Sequence, residues 1–367
     1  MPSLVTARLL GSPQILLDGA AAPAELLWRK HLALCIVLWT APERSRSRDQ
    51  LIGLLWSDKS DGAARHSLNE ALRVVRRAAG PETIESVGDY IRWSAPPELD
   101  TDHFAELERT SPEAAAALVS GPFCDGFAVA NANEFESWIQ SERGRWGARA
   151  VDVLVRAAAE AEGRGDARTA GGFAHRATEL DPHSDVATQA LIRAHWLAGN
   201  RTEALTAGER FRNRLAEELG RVPEAQTTAL LDRLRRSRNP ERPAGSANPE
   251  RQLPLVGRHE SLSQLLAGWR SVGTMPTPRL LTIIGAQGSG RSRLLEELTA
   301  RATLEGATVA TVRAVDADRL NPDAATLGLA RHGLGMAPGI AGASPDALAA
   351  FLQRIPSWND RLLAGQS

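Results

Sequence analysis

Residues 63–80, with the sequence AARHSLNEALRVVRRAAG, constrain the fold more than any other stretch of this chain. A helix over this stretch, at roughly 100° per residue, separates apolar from nitrogen-rich side chains. Its apolar face carries Leu68, Leu72, Val75 and Ala79, flanked by Ala64 and Ala71. Its opposite face carries Arg65, Asn69, Arg73 and Arg76, with His66 and Arg77 at the edge. Such a face suits the phosphates and base edges of a DNA major groove, although a solvated surface helix fits this stretch equally well.

The segments on either side of this helix favour the DNA-binding alternative. Before it, residues 7–10 and 14–17 predict a small antiparallel sheet, and residues 30–41 predict an apolar helix. Ser47 and Gln50 have the spacing of a capping box at the start of a second helix. After it, residues 83–87 and 90–93 flank Gly88-Asp89, which is typical of a hairpin. This order predicts a winged helix-turn-helix domain over residues 1–97, with Arg46, Arg48 and Arg92 placed for phosphate contacts.

Residues 98–238 are rich in Ala, Leu, Glu and Arg and predict an all-α domain. Gly165-Asp166 and Gly199-Asn200 are 34 residues apart, as are Ala170 and Ala204 and also Arg176 and Arg210. A 34-residue step with small residues at matched positions is typical of tetratricopeptide (TPR) repeats, and an ordinary helical bundle is the alternative. The aromatic residues here are expected in the core: Phe127, Phe135, Trp138, Trp146 and Trp196.

A Pro/Gly-rich polar run at residues 239–252 predicts a linker, and residues 253–367 predict the N-terminal part of a P-loop nucleotide-binding domain. There, a buried strand at residues 280–284 is expected to lead into a phosphate loop and a helix. The candidate ligands of ATP or ADP with Mg²⁺ are Gly285, Gly288, Gly290, Arg291 and Ser292. Arg291 occupies the position of the usual lysine, and no apolar run between Ser292 and Ser367 ends in Asp or Glu. We therefore predict no hydrolytic activity, and a nucleotide site of weak character.

The composition limits the compartment and the kind of binding. The 43 basic and 44 acidic residues balance, so nucleic-acid binding requires a local basic patch. Cys35 and Cys124 have no metal-ligand spacing and predict reduced core thiols. No apolar run approaches the length of a membrane span, and the N-terminus lacks a signal-peptide pattern. These features predict a cytoplasmic protein, associated with the nucleoid when it is bound to DNA.

Several motifs resemble one family. Residues 51–56 (LIGLLW), 64–68 (ARHSL) and 76–78 (RRA) resemble the winged helix of the SARP family, the antibiotic regulatory proteins of actinomycetes. Residues 121–127 (GPFCDGF), 134–138 (EFESW) and 215–220 (LAEELG) resemble its bacterial transcriptional activator domain, or BTAD. Residues 255–292 are similar to the start of the STAND/AAA-type ATPase module of the larger SARP regulators. Asn69 departs from the pattern, since many members carry Arg there.

The resemblance implies a transcriptional activator that binds direct repeats near promoters as two side-by-side protomers. It also implies recruitment of RNA polymerase holoenzyme through its sigma factor, and control of antibiotic or other secondary-metabolite genes. The predicted fold is mainly α with small β elements: a winged helix-turn-helix, a TPR-like helical domain and an incomplete P-loop α/β domain. Two alternatives stay open, namely a nucleotide-dependent STAND-type signalling ATPase and a protein-interaction scaffold with a degenerate winged helix.

Overall fold

A computed structural model describes residues 3–237, 257–272, 280–321, 323–333, 337, 340–356 and 358. The predicted linker at residues 239–252 lies outside the described residues. The chain divides into two compact units, one of residues 1–157 and 176–182, the other of residues 158–175 and 183–367. Two helices contribute to both units, so the division does not follow the order of the sequence.

The described elements are seven short strands and fourteen α-helices. The strands are β1 (Val5–Arg8), β2 (Gln14–Leu17), β3 (Ala20–Ala21), β4 (Ser45–Ser47), β5 (Ile84–Val87), β6 (Tyr90–Trp93) and β7 (Glu98–Leu99). The first seven helices are α1 (Arg29–Trp39), α2 (Arg48–Leu55), α3 (Asp61–Ala79), α4 (Asp100–Leu107), α5 (Pro112–Leu118), α6 (Asn133–Gly163) and α7 (Ala167–Leu180). The remaining ones are α8 (Asp185–Leu197), α9 (Arg201–Leu219), α10 (Ala225–Arg236), α11 (His259–Ser271), α12 (Arg291–Leu304), α13 (Ala324–His332) and α14 (Pro345–Arg354). None of the helices in the described ranges is long and apolar enough to cross a membrane.

The first sheet of the first unit has the strand order β3-β2-β1-β7. Within it, β1 ends earlier than the sequence predicts. The sequence predicts a strand at residues 7–10, whereas β1 ends at Arg8. The reason is the carboxylate of Asp100, which accepts hydrogen bonds from the backbone N–H of Leu9 at 2.8 Å and of Leu10 at 2.9 Å. These two N–H groups therefore have a side-chain partner in place of a neighbouring strand.

Three helices and a hairpin follow this sheet in the predicted order. The capping box at α2 is confirmed, because Ser47 Oγ accepts from the N–H of Gln50 and Gln50 Oε1 accepts from the N–H of Ser47, both at 3.2 Å. The hairpin is confirmed as β5 and β6, with Val87 opposite Tyr90. The sequence missed β4, which pairs antiparallel with β6 and makes a three-stranded sheet of order β4-β6-β5.

The loop with the sequence GPFCDGF is held in place by the guanidinium of Arg143 on α6. Arg143 donates to the backbone carbonyls of Phe123 (3.1 Å), Cys124 (2.7 Å) and Phe127 (2.8 Å). The loop also bonds the N-terminal segment, since the N–H of Cys124 donates to the carbonyl of Leu9 at 2.7 Å. The GPFCDGF motif, one of the most specific of the resemblance, therefore has a structural role.

Cys35 and Cys124 are both buried free thiols, as predicted, and burial raises the pKa of each.

The second unit contains two turns that agree with the 34-residue period. In the first, the backbone N–H of Gly165 donates to the backbone carbonyl of Glu162, and the N–H of Asp166 donates to the carbonyl of Ala161, both at 2.9 Å. In the second, the N–H of Gly199 donates to the backbone carbonyl of Trp196 at 2.9 Å, and the N–H of Asn200 donates to the carbonyl of His195 at 2.8 Å. Both glycines have a positive φ, 78° and 79°, and Ala170 and Ala204 after them are fully buried. The assignment of these helix pairs to the TPR class stays a prediction.

The strand predicted at residues 280–284 is absent, and the prediction was wrong. Those residues are described but belong to no strand, and Leu280 and Ile284 are 90% and 89% exposed. The second candidate strand, residues 308–314, is also outside any strand. A strand is stable only when neighbours pair with its backbone and cover its apolar side chains. In the described part of residues 257–358 no strand pairs with this segment, although Ile283 packs against the buried cluster of Leu262, Leu265, Leu266 and Leu294. No P-loop sheet is therefore present among these described residues.

The helix after the glycine loop packs against two sets of helices: Leu294 near its start lies in a cluster with Leu262, Leu265 and Leu266 of α11, and its end packs against α8, α9 and α10. Leu304 at the end of α12 joins a buried cluster in the second unit, together with Ile192, Leu197, Ala204, Leu230, Leu231 and Leu234. Trp196 Nε1 donates to the carbonyl of Ala300 at 3.3 Å, and the guanidinium of Arg233 donates to the carbonyl of Leu304. Thus α12 completes the apolar core of the repeats.

Candidate nucleic-acid interface

Helix α3 separates its two faces as the sequence predicts. All six apolar residues of the predicted face are buried: Ala64, Leu68, Ala71, Leu72, Val75 and Ala79. Burial of this whole stripe fixes the rotation of the helix about its axis. The nitrogen-rich face must then point away from the core. Five of its six predicted members, Arg65, His66, Asn69, Arg73 and Arg77, are exposed, and Arg76 is half-buried.

Two arginines of α3 form ion pairs with acidic side chains of the same unit. Arg73 Nη2 lies 2.7 Å from Glu70 Oε2, one turn earlier on the helix, and the guanidinium of Arg77 pairs with Glu25. Both pairs are exposed, and exposed pairs contribute about 0–1 kcal/mol. A phosphate can therefore replace either carboxylate at small cost. Within the described residues, Arg65 and His66 have no hydrogen-bond or ion-pair partner.

Asn69 is connected to the start of α2 and to the hairpin. Arg48 Nη1 donates to Asn69 Oδ1 at 3.0 Å, and Arg48 Nη2 lies 3.4 Å from Ser86 Oγ on β5. Arg76 approaches the same hydroxyl at 3.4 Å and also donates to the carbonyl of Ile84 at 3.1 Å. Two guanidinium groups thus share one serine at the junction of α2, α3 and the hairpin. The sequence predicts phosphate contacts for Arg48 and Arg76, and in the structure both have partners within the protein.

The remaining two predicted phosphate ligands lie on the three-stranded sheet. Arg46 is the central residue of β4, opposite Ile91, and is half-buried. Its Nε is buried and has no hydrogen-bond partner among the described residues. Arg92 on β6 is exposed, 4.0 Å from Glu43. Of these two, Arg92 is the better placed to reach an external phosphate.

Sequence reasoning did not single out Ser86 or Lys59. Ser86 is the hydroxyl between Arg48 and Arg76, and Lys59 Nζ donates to Ser67 Oγ at 2.8 Å near the start of α3. The position of Ser86 on a strand directly after α3 was the signal available in the sequence. Its partners are 38 and 10 residues away, a distance at which no local periodicity reports a contact.

The predicted nucleotide ligands lie together on the loop before α12 and at its first turn. Gly288 and Gly290 have positive φ of 80° and 83°, and Gly290 is the N-cap of α12. The guanidinium of Arg258 donates to the carbonyl of Ser289 at 2.7 Å. Gly285, Arg291 and Ser292 are exposed. Among the described residues, no group of three or more His, Cys, Asp or Glu side chains forms a candidate metal site.

Comparison with known proteins identifies one domain of the chain. Residues 99–235 match the family model of the bacterial transcriptional activator domain. These residues run from the end of β7 to α10 and include the Arg143-bound loop and the helical repeats. No match is found among curated protein sequences.

A similar fold over most of the chain is found among solved structures, for example in EmbR of Mycobacterium tuberculosis in complex with a low-affinity phosphopeptide. The two share 22% sequence identity with a TM-score of 0.52, and the match covers 75% of this chain and 72% of that one. At this identity, the likeness establishes the fold alone. Over residues 99–235 the chain therefore matches a bacterial transcriptional activator domain, and this match supports a transcriptional regulator.

Proposed function

We propose that the chain is a DNA-binding transcriptional activator of the SARP type. The observation that carries the proposal is α3, whose apolar stripe is fully buried while Arg65, His66, Asn69 and Arg73 face solvent beside a hairpin. A helix with this face enters the major groove, and the hairpin reaches the neighbouring phosphates. The transcriptional activator domain at residues 99–235 adds independent support.

In this proposal the side chains divide into two groups. Arg65, Asn69 and Arg73 face base edges, with His66 at the edge of the same face, and the phosphate backbone is bound by Arg46, Arg48, Arg76, Arg77 and Arg92. Two protomers bind direct repeats side by side near promoters and recruit RNA polymerase holoenzyme through its sigma factor. The controlled genes are those of antibiotic or other secondary-metabolite biosynthesis, and the protein acts in the cytoplasm.

Substitution of the exposed arginines tests DNA binding directly. Arg65→Ala and Arg73→Ala are each expected to weaken binding to a selected site by about 1–3 kcal/mol, because each removes a base contact. The measurement is a gel shift of the full chain on oligonucleotides selected from a random pool. Arg212→Ala, which removes an exposed arginine from α9, is the matched control and is expected to bind normally. Unchanged binding by both α3 variants would contradict the proposal.

The selection also separates the proposal from an interaction scaffold. The first hundred residues are close to charge-neutral, so non-specific binding at physiological salt is expected to be weak. A scaffold with a degenerate winged helix selects no sequence from the pool. An activator selects repeated half-sites, whose spacing footprinting then measures.

A nucleotide-responsive role is the second candidate function. It is favoured by the positive φ of Gly288 and Gly290 at the N-terminus of α12, where backbone N–H groups can face a phosphate. Calorimetry of the full chain with ATP and Mg²⁺ tests it. A heat of binding in the unsubstituted chain that disappears in Gly288→Val would support this role. The absence of any heat of binding in the unsubstituted chain would contradict it.

A further inference from the structure

Helices α11 and α12 form a pair with an apolar cluster of its own. Leu294 of α12 is buried in this cluster, and Leu298 packs against it. The other buried members, all on α11, are Leu262, Leu265 and Leu266. Glu305, directly after α12, accepts hydrogen bonds from Trp269 Nε1 at 2.8 Å and from the guanidinium of Arg270 at 2.6 Å. The two helices therefore stabilise each other through contacts that do not involve the helical repeats.

A different face of α12 lies against α8 and α10 of the activator domain, residues 99–235. Glu297, Ala300, Arg301 and Leu304 are spaced three or four residues apart or adjacent, so they share this face. Leu304 enters the buried cluster of the repeats, and Trp196 Nε1 donates to the carbonyl of Ala300. The contact is thus specific, with both apolar and polar components.

Two arginines cap helix ends across this contact. The guanidinium of Arg233 on α10 donates to the carbonyl of Leu304, the last residue of α12. The guanidinium of Arg301 on α12 donates to the carbonyl of Glu162, in the last turn of α6. The last carbonyls of a helix have no partner within the helix, and either side chains or water can satisfy them. Water can therefore replace both arginines when the helices separate.

The two buried carboxylates at this contact are paired within each partner. On α12, Glu297 lies 3.0 Å from Arg301 Nε and 3.4 Å from Arg293 Nη2. On the repeats, Glu162 Oε2 lies 3.0 Å from Arg193 Nη2. Removal of one partner of a buried ion pair is costly, because it leaves an uncompensated charge. Here each carboxylate keeps its arginine when α12 leaves, so both faces can be exposed to water.

The family model of the activator domain ends at residue 235, before α11 and α12. The surface beneath α12 therefore belongs to a domain that its family defines without this pair. We propose that α11 and α12 form a detachable helical pair, which docks reversibly on the face made by α8, α10 and the last turn of α6. The pair is then a regulatory cover, since this face of the activator domain is accessible only after the pair has left. The proposal goes beyond DNA binding and does not depend on it.

The test separates the pair from the repeats in the folded full chain. A recognition site for a specific protease is inserted in the predicted linker at residues 239–252, and the chain is cleaved there. The two fragments are expected to sediment together at micromolar concentration and to separate on dilution. The separated N-terminal fragment is expected to keep its helical circular dichroism. Sedimentation velocity of an N-terminally labelled chain over a dilution series measures the Kd.

Two substitutions locate the contact. Leu304→Ala is expected to raise the Kd about thirtyfold or more, since it removes a buried side chain of α12 from the cluster. Arg233→Ala is expected to raise it about tenfold, because it removes the cap of α12. Leu295→Ala, on the exposed face of α12, and Arg235→Ala are the matched controls, and Arg235 pairs with Asp232 on its own helix. Both controls are expected to change the Kd by about twofold or less.

Four outcomes would refute the inference. Fragments that stay together at nanomolar concentration would make α12 a permanent part of the repeats, and fragments that separate at micromolar concentration would show that it does not dock. Loss of helical circular dichroism from the separated N-terminal fragment would show that the repeats need α12 to fold. Equal effects of Leu304→Ala, Arg233→Ala and their controls would place the contact elsewhere. None of these readouts involves DNA, so they are independent of the proposed function.

Discussion

Arg143→Ala is expected to lower the free energy of unfolding by about 3 kcal/mol or more. The substitution removes the donors of three hydrogen bonds, to the carbonyls of Phe123, Cys124 and Phe127. Hydrogen bonds to a charged group contribute about 1.5–3 kcal/mol each, and a partly buried carbonyl left without a partner is costly. Cys124 adds to the cost, since its φ of 48° is a conformation that the surrounding contacts must maintain.

Urea unfolding followed by circular dichroism measures this effect. Arg145→Ala is the matched control, two residues away on the same helix, because Arg145 is exposed, pairs with Glu142 and otherwise lies over the ring of Trp146 at 5.3 Å from its centroid. It is expected to cost about 0–1 kcal/mol. Arg143→Lys keeps the charge without the fork and is expected to fall between the two. Equal stability of Arg143→Ala and Arg145→Ala would show that the loop does not depend on this guanidinium.

Leu304→Ala is expected to cost about 2–5 kcal/mol, as other large-to-small substitutions in a packed core do. Leu304 is 4% exposed and packs with leucines of α10, including Leu230 and Leu234. The loss combines the transfer free energy of the deleted atoms with the cavity that they leave. The size of this loss measures how much the packing of α12 against α8, α9 and α10 contributes to the free energy of unfolding.

Leu295→Ala provides the control on the same helix. Leu295 is 46% exposed, so its truncation is expected to change stability by about 0.5 kcal/mol or less. The midpoint of urea unfolding is measured for both variants of the full chain. If α12 were packed only within a separate nucleotide-binding domain, Leu304→Ala would leave the unfolding of the repeats unchanged.

Local patterns predicted the elements whose stability depends on neighbours in the sequence. The stripe of Leu68, Leu72 and Val75 predicted the orientation of α3, and Ser47 with Gln50 predicted the start of α2. Each of these signals operates within about one or two helical turns. The face of α3 proposed to bind DNA was therefore predictable as a set of side chains.

Contacts between distant residues were not predictable in this way. The end of β1 depends on Asp100, 91 residues after Leu9, and the orientation of Asn69 depends on Arg48, 21 residues before it. The strand expected at residues 280–284 had a suitable local pattern, but no described strand pairs with it, and Leu280 and Ile284 are exposed although Ile283 packs against α11 and α12. In each case the deciding partner lies far away in the sequence, where no periodicity can indicate it.

The shared contacts at Ser86 have a consequence for the entropy of binding. A two-stranded hairpin alone is only marginally stable in water, but here β4 pairs with β6, and Arg76 ties the hairpin to α3 through Ile84 and Ser86. The hairpin and the helix therefore hold a common geometry before they meet a ligand. Ordering a flexible side chain on binding costs about 0.5–1.5 kcal/mol. Because the contacts at Ser86 already order these side chains in the folded protein, part of this free energy is not lost when the surface binds. Affinity for a groove of matching shape then depends less on induced order and more on the width of the groove itself.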